Sequence, residues 1–376
     1  KSDRTTIIGM MQGVPPATPS TAASLLLRKI LLTPAALPPG RSDRSFNALR
    51  LSKLLDGAAV NDAADLATRI QAPNNPEILE LQAEAFIRAG RDFDACGDLT
   101  ANRLQSAERF WVQLRAFCYA VNRDPALDLT RTVISDQGLS DPSFLVLLDG
   151  LASGQAMAPE AIQLPDALHI LMLSRLNLPM NAEMAVSLGL ADSLMVAQSA
   201  ATPAPLRIAA AEKLLRAGVL PTDLFGDILD LTTFAPGDLS VAPALARTEP
   251  LMQALARLGA ALRMTGDLEQ RAQLIHTALE IGETAGLLRQ VALLFGDDAA
   301  AIVPARGWAN WSELYMRALL LVGRTDAAAR WFNILSMNPA AVADVANQLQ
   351  LILAFTAPTQ ADSLTTLALL RSLALA

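Results

Sequence analysis

Tyr315–Leu335 reads YMRALLLVGRTDAAARWFNIL, Gly259–Leu279 reads GAALRMTGDLEQRAQLIHTAL, and Leu81–Leu99 reads LQAEAFIRAGRDFDACGDL. Aligned on Gly323, Gly266 and Gly90, they share a phase. A small or apolar residue stands seven positions before the glycine (Met316, Gly259, Ala83) and a bulky one four before it (Leu319, Leu262, Phe86). Another bulky residue stands nine after it (Phe332, Ile275, Leu99). Arg123 lies thirty-three residues after Gly90 and takes the same phase, with Ala116 and Tyr119 ahead of it. Apolar residues at helical spacing on either side of a glycine stop predict a helical hairpin, and a recurrence near 34 residues predicts stacked hairpins. The small residue lets two helices approach. The bulky ones fill the groove between neighbouring hairpins, because a single hairpin cannot bury its apolar stripe alone.

The same pattern extends outward. From about Ser45 the chain alternates helices and turns with almost no period-two alternation, so an all-α fold without a sheet is predicted. Asn61, Asp141 and Asp166 sit where helix N-caps are expected, and Gly90, Gly218, Gly266 and Gly323 where helices stop. The 376 residues are 52% apolar and only 18% charged, ample for a core, with Ala and Leu dominating and aromatics at 5%. Residues 1–44 differ: Pro15, Pro16, Pro19, Pro34, Pro38 and Pro39 punctuate an arm with one short apolar helix between Ser20 and Thr33. That helix is expected to dock, on the protein's own body or on a partner.

The three stretches resemble the tetratricopeptide repeat family, and Pro339 falls near where that family ends a repeat. The resemblance implies a right-handed solenoid of stacked hairpins. It gives a Pro-rich arm over 1–44, repeats over 45–140, degenerate hairpins over 141–250 such as Ala209–Leu229, and repeats again over 251–376. The middle lacks the family's second-helix alanine, which puts the superhelix or its continuity there in doubt. For function such repeats are scaffolds used for many purposes.

Charge and motifs narrow the function classes. The net charge is −7, no dense basic run occurs, and Lys is confined to Lys1, Lys29, Lys53 and Lys213, so a nucleic-acid partner is not expected. No Gly-rich phosphate loop is present, and no cofactor or metal is expected. His169 and His276 are over a hundred residues apart, with no His, Cys or carboxylate partner at metal spacing, and read as structural residues. Asp92–Asp94 and Asp297–Asp298 read as turns and caps. Glu108, Glu249 or Glu313 would serve a hydrolase, with nothing singling one out. The charge-free run Val345–Ala361 carries several amides and Pro358, and reads as a buried helix and exit loop rather than a membrane span.

Cys96 and Cys118 fit either two buried thiols or one disulfide in an oxidising compartment. The repeat phase puts Cys96 in the second helix of one hairpin and Cys118 in the first helix of the next, which are neighbours in a stack. The chain begins at Lys1 rather than Met, which reads as a fragment or a processed product with any signal peptide already removed.

Three of four tryptophans gather in Trp308, Trp311 and Trp331, with Tyr315 and Phe332 beside them. Trp311 and Tyr315 share a helix face. They either fill a hairpin core or line a groove that binds a peptide or helix, rimmed by Arg306, Arg317, Arg324 and Arg330. The expected function is therefore a non-enzymatic scaffold with protein partners, in a homo-oligomer or ring. Low Lys, the paired cysteines and ERFWVQLRAFCYAV (Glu108–Val121) also resemble periplasmic helical-repeat proteins of alphaproteobacteria, some of them accessory parts of the flagellar motor. That resemblance implies a periplasmic location. An envelope peptidoglycan hydrolase and a cytoplasmic peptide-binding adaptor are the alternatives.

Overall fold

The computed structural model describes residues 3–17, 21–34, 39–40, 45–71, 75–99, 106–139, 142–159, 162, 165–181 and 187–336. Every regular element among them is helical. The chain divides into two compact units, Lys1–Leu220 and Pro221–Ala376. The division falls inside Ala209–Leu229, so the two helices expected there as one hairpin belong to different units. Asp141, Pro339 and the run Val345–Ala361 lie outside the described residues.

The first unit contains α1 (Arg4–Gly13), α2 (Thr21–Leu32), α3 (Phe46–Asp56), α4 (Val60–Ala67), α5 (Pro76–Arg88), α6 (Arg109–Asn122), α7 (Ala126–Asp136), α8 (Pro142–Ser153), α9 (Ala167–Arg175), α10 (Leu190–Gln198) and α11 (Ala204–Arg216). The second contains α12 (Thr222–Leu231), α13 (Leu251–Met264), α14 (Leu268–Thr284), α15 (Leu288–Ala301), α16 (Ser312–Leu321) and α17 (Thr325–Ser336), with short turns between.

Helix starts follow local chemistry. Asp3, Ser45, Asn75, Asp166 and Asp267 each accept a hydrogen bond from the backbone N–H three residues on, filling one donor that the first helical turn leaves open. Asn61 does not cap: α4 starts one residue earlier, with Ala59 as its N-cap, and Asn61 lies inside the helix.

Helix ends explain the sequence phase. Gly90, Gly218 and Gly323 all have positive φ, as does Arg123 at 53°. In each case the next N–H bonds back to the carbonyl four residues before the left-handed residue. These pairs are Arg91 to Phe86, Val219 to Leu214, Arg324 to Leu319 and Asp124 to Tyr119, at 2.8–2.9 Å. The bulky residue four before the stop is thus the acceptor of a Schellman ending. Ala58, Gly138, Asn177 and Gly286 close their helices in the same way. Gly266 does not. Thr265 ends α13 in extended conformation, and its hydroxyl accepts from Asp267 N–H (3.2 Å), which caps the next helix at once.

The arm holds two helices where one was expected. Gly9, Gly13 and two threonines give α1 a weak helical signal, which the Asp3 cap offsets. Both helices lie against α3. The buried Arg50 donates to the carbonyls of Leu31 (2.5 Å) and Thr33 (3.2 Å) at the end of α2. Lys53, one turn on, donates to Gln12 (3.0 Å) and Val14 (2.6 Å) at the end of α1. Two cations on one face of α3 therefore satisfy the open carbonyls and negative dipole ends of both arm helices. A side chain at Gly57 would put its Cβ 2.6 Å from the Pro16 carbonyl oxygen, so the arm also needs a glycine there.

The first unit is not stacked by nearest neighbours alone. α5 packs on α9 and α10, which follow it by about a hundred residues, and α10 also reaches α3. Arg88 at the end of α5 pairs with Asp192 of α10 (2.7 Å) and with Glu84 (3.1 Å), and Arg175 pairs with Asp92. Burial opposes the Arg88 charge, but the two carboxylates outweigh it and raise its pKa. In the second unit consecutive helices pack together, and α14 also meets α16 and α15 meets α17, the pairing of successive hairpins.

Cys96 and Cys118 form a disulfide with Cα atoms 5.5 Å apart. Cys118 sits in α6 as expected. Cys96 does not sit in a regular helix: Asp92–Asp94 forms one turn, and Ala95–Leu99 follows as a wide turn with Gly97 in non-helical conformation. The bridge ties this irregular segment to α6. Replacing both cysteines by serine should lower the unfolding free energy of the first unit by ~3 kcal/mol, the chain-entropy value for a loop of 22 residues, in urea denaturation followed by circular dichroism.

Two glycines set close approaches in the second unit. A Cβ at Gly259, the small residue of the sequence phase, would stand 3.0 Å from both methyls of Leu229. One at Gly282 would stand 2.7 Å from Cγ2 and 2.9 Å from Cβ of the fully buried Val291. Gly282→Ala should cost a net ~1–2 kcal/mol in thermal or urea unfolding, since overpacking exceeds the gain in helix propensity. Part of that loss should return when Val291 is also Ala.

Candidate functional site

The aromatic cluster assembles from three elements of the second unit. The 3₁₀ turn Arg306–Trp311 carries Trp308 and Trp311, α16 carries Tyr315, and α17 carries Trp331. Tyr315 and Trp331 stack at 4.1 Å with planes 16° apart, and both are fully buried. The Tyr315 hydroxyl donates to the Ala272 carbonyl of α14 (2.7 Å), and burial pushes the phenol pKa up. These two rings are hairpin core, the plainer of the two expectations. Trp308 and Trp311 are only half-buried, stacked at 5.7 Å. They form the part of the cluster that reaches solvent. Phe332 is also half-buried.

His276 of α14 completes the system, which its sequence surroundings did not suggest. Its ring stacks on Trp311 at 4.9 Å and lies 6.3 Å from Tyr315, its plane nearly parallel to both. With Trp308 lying 6.4 Å from Trp331, the five rings form a closed circuit. His276 also has a carboxylate partner: Glu280, one turn along, lies 3.3 Å from Nε2. That i, i+4 spacing is the signal the sequence offers for it. Burial lowers the His276 pKa; Glu280 opposes the shift, and Arg247, bonded to Glu280 at 2.8 Å, supports it. His276 Nδ1 is buried without a hydrogen-bond partner, so protonation would add an unsatisfied donor.

The arginines expected to rim a groove are mostly engaged with other helices. Arg317 pairs with Glu283 of α14 (2.5 Å) and lies 3.7 Å from Glu313. Arg324 pairs with Asp297 of α15, and Arg330 donates to the Ala300 carbonyl (2.6 Å). Each links adjacent helices at the surface, where a pair contributes ~0–1 kcal/mol and is readily exchanged for a ligand's carboxylate. Arg306, exposed beside Trp308, has no ion pair among the described residues.

The remaining candidates are held in structural contacts. Asp92 and Asp94 pair with Arg175 and Arg91, and Asp297 and Asp298 with Arg324 and Arg271. Of the nominated glutamates, Glu249 binds the buried Arg257, which also lies over the Phe234 ring, and Glu313 faces Arg317. Glu108 is an exposed N-cap residue of α6. His169 is fully buried, with Nδ1 2.8 Å from the capping carboxylate of Asp166. Among the described residues no three His, Cys, Asp or Glu side chains gather as a metal site, and no helix is long and apolar enough to cross a membrane. In the first unit a cleft of about 270 Å³ is lined by Ser52, Asp56, Glu84, Arg88 and Asp192 among others. Of its charged groups, Glu84 and Asp192 pair with Arg88, and Asp56 accepts from the Ser52 hydroxyl (3.3 Å).

No protein-family model matches the chain, and no curated protein or solved structure matches it significantly.

The depressed His276 pKa means the unfolded chain binds more protons near its ordinary value of about 6.5. Stability from this site is full above that pH and is lost as pH falls below it. Wild-type thermal midpoints should therefore drop more steeply than those of His276→Phe as pH falls below about 6.5. Parallel profiles would remove His276 as the source.

Proposed function

We propose that the chain is a non-enzymatic scaffold of tetratricopeptide-like hairpins that binds other proteins through the Trp308–Trp311 surface of its second unit. The observation that carries this reading is the half-buried indole pair. Trp308 and Trp311 stack on one another while only half-buried, backed by the fully buried Tyr315 and Trp331 and by His276. Rigid aromatics with a polar rim are the usual energetic centres of protein interfaces, because they bury much area and lose little side-chain entropy. A peptide or helix would lie across the indoles and exchange its carboxylates with Arg306, Arg317, Arg324 and Arg330.

The disulfide between Cys96 and Cys118 supports a location in an oxidising compartment, which for a bacterial chain is the periplasm. It favours the envelope reading over the cytoplasmic adaptor, whose thiols would be free. A component of an envelope machine such as the flagellar motor, alone or in a ring, is the narrower form of this proposal. For the hydrolase alternative, Glu249 and Glu313 are already occupied by arginines.

Cross-linking in the native host, followed by purification and mass spectrometry, tests the proposal. Envelope proteins linked to the Trp308–Trp311 face are expected. Trp308→Ala and Trp311→Ala should weaken binding of the recovered partner by about tenfold or more, with circular dichroism still helical and a lower thermal midpoint, because both indoles stack in the circuit. Undiminished binding by well-folded variants would remove this face from consideration. Recovery of soluble cytoplasmic clients, with both cysteines alkylatable, would overturn the envelope assignment.

A further inference from the structure

Charge is distributed unevenly along the chain. Residues 1–44 carry Lys1, Arg4, Arg28, Lys29, Arg41 and Arg44 against Asp3 and Asp43, a net charge of +4. The rest carries 24 basic against 35 acidic side chains, a net charge of −11. The same segment displays apolar side chains to solvent. On α2, Leu27 and Leu31 are buried, while Leu26 and Ile30, one turn apart, are 59% and 48% exposed. On α1, Ile8 and Met11 are buried, while Met10 is 68% exposed and Val14, just past the helix, is 39% exposed. Lys29 is exposed beside Leu26 and Ile30. Arg50 and Lys53 stand one turn apart on α3 and hold the ends of α2 and α1, so the two helices that carry these apolar side chains are both pinned to α3.

We propose that the N-terminal arm is a membrane-surface contact, in which α1 and α2 seat their exposed apolar side chains at the boundary of an anionic lipid bilayer. The physical case is charge complementarity combined with apolar exposure. An amphipathic surface with cations flanking exposed Leu, Ile and Met partitions into the interface of an anionic leaflet, gaining from both burial and charge. The arm is firmly anchored, so docking places the whole first unit against the bilayer. The acidic body of a second copy fits the cations less well. Many of its carboxylates are held by its own arginines, as in Asp65–Arg91, Asp149–Arg131 and Glu212–Arg216, and Asp62 already holds Arg28 of the arm.

The test is vesicle flotation of the full chain, with phosphatidylcholine alone and with phosphatidylcholine mixed with phosphatidylglycerol. Flotation with the mixed vesicles and little with the neutral ones is expected, declining as salt rises. Leu26→Glu/Ile30→Glu should lower partitioning by about tenfold or more, and Lys29→Glu by about tenfold. Circular dichroism and thermal midpoints should stay near wild type, because all three side chains are exposed. Met10→Glu, on the other helix, provides a second variant. Absence of flotation with either vesicle, or flotation unaffected by every variant, overturns the proposal. So does a dimer in lipid-free sedimentation velocity that Leu26→Glu/Ile30→Glu abolishes, since it would assign the face to a second copy.

Discussion

Each helix of this protein has to stop within a residue or two and hand its last carbonyls to a donor. The common solution is a left-handed residue at the position after the cap, with a hydrogen bond from the following N–H to the carbonyl four residues before it. Gly90, Gly218 and Gly323 adopt it without steric cost, and Arg123, Ala58 and Asn177 adopt it against a left-handed penalty of ~1–2 kcal/mol. Because the ending fixes where the chain turns, it also fixes which apolar stripe of the next helix meets the last. Where the local ending does not serve every carbonyl, a neighbouring helix does. Arg50 and Lys53 serve the arm, Gln82 serves the end of α4, and Arg271 serves the end of α13.

The two units use this rule differently. In the second, contacts run between consecutive helices and their next neighbours, and small residues set the spacing: Gly259 against Leu229 and Gly282 against Val291. In the first, α5 meets α9 and α10 across about a hundred residues, joined by ion pairs at Arg88 and Asp92. A buried arginine between two carboxylates contributes modestly to stability compared with an apolar replacement, but losing one partner is costly, so it favours this particular pairing of helices. The disulfide acts on the same unit by tying an irregular segment to α6.

The aromatic circuit joins architecture to the proposed binding surface. Tyr315 and Trp331 are buried because they fill the space between α14, α16 and α17, and their rigidity supports the more exposed Trp308 and Trp311. His276 extends the stack and brings a titratable group whose neutral form the fold prefers. The arm provides a second surface of different chemistry, basic and apolar, and the two proposed contacts stand on separate observations.

Much of this architecture is legible in the sequence because it follows from local physics. The all-α class, the left-handed stops at Gly90, Arg123, Gly218 and Gly323, the Asp166 cap and the clustering of tryptophans depend on short-range spacing, which the chain displays directly. Gly266 and Asn61 depart from the expected roles because a neighbouring residue, Thr265 in one case and Ala59 in the other, takes the role first. The sequence by itself therefore determined where helices turn and which side chains are apolar enough to be buried. Only tertiary structure decided that α5 meets α10, that Arg317 and Arg324 are held by acids on other helices, and that His276 joins the indoles. These contacts depend on how distant segments pack, and no spacing along the chain encodes a distance between residues that meet only when the helices are assembled.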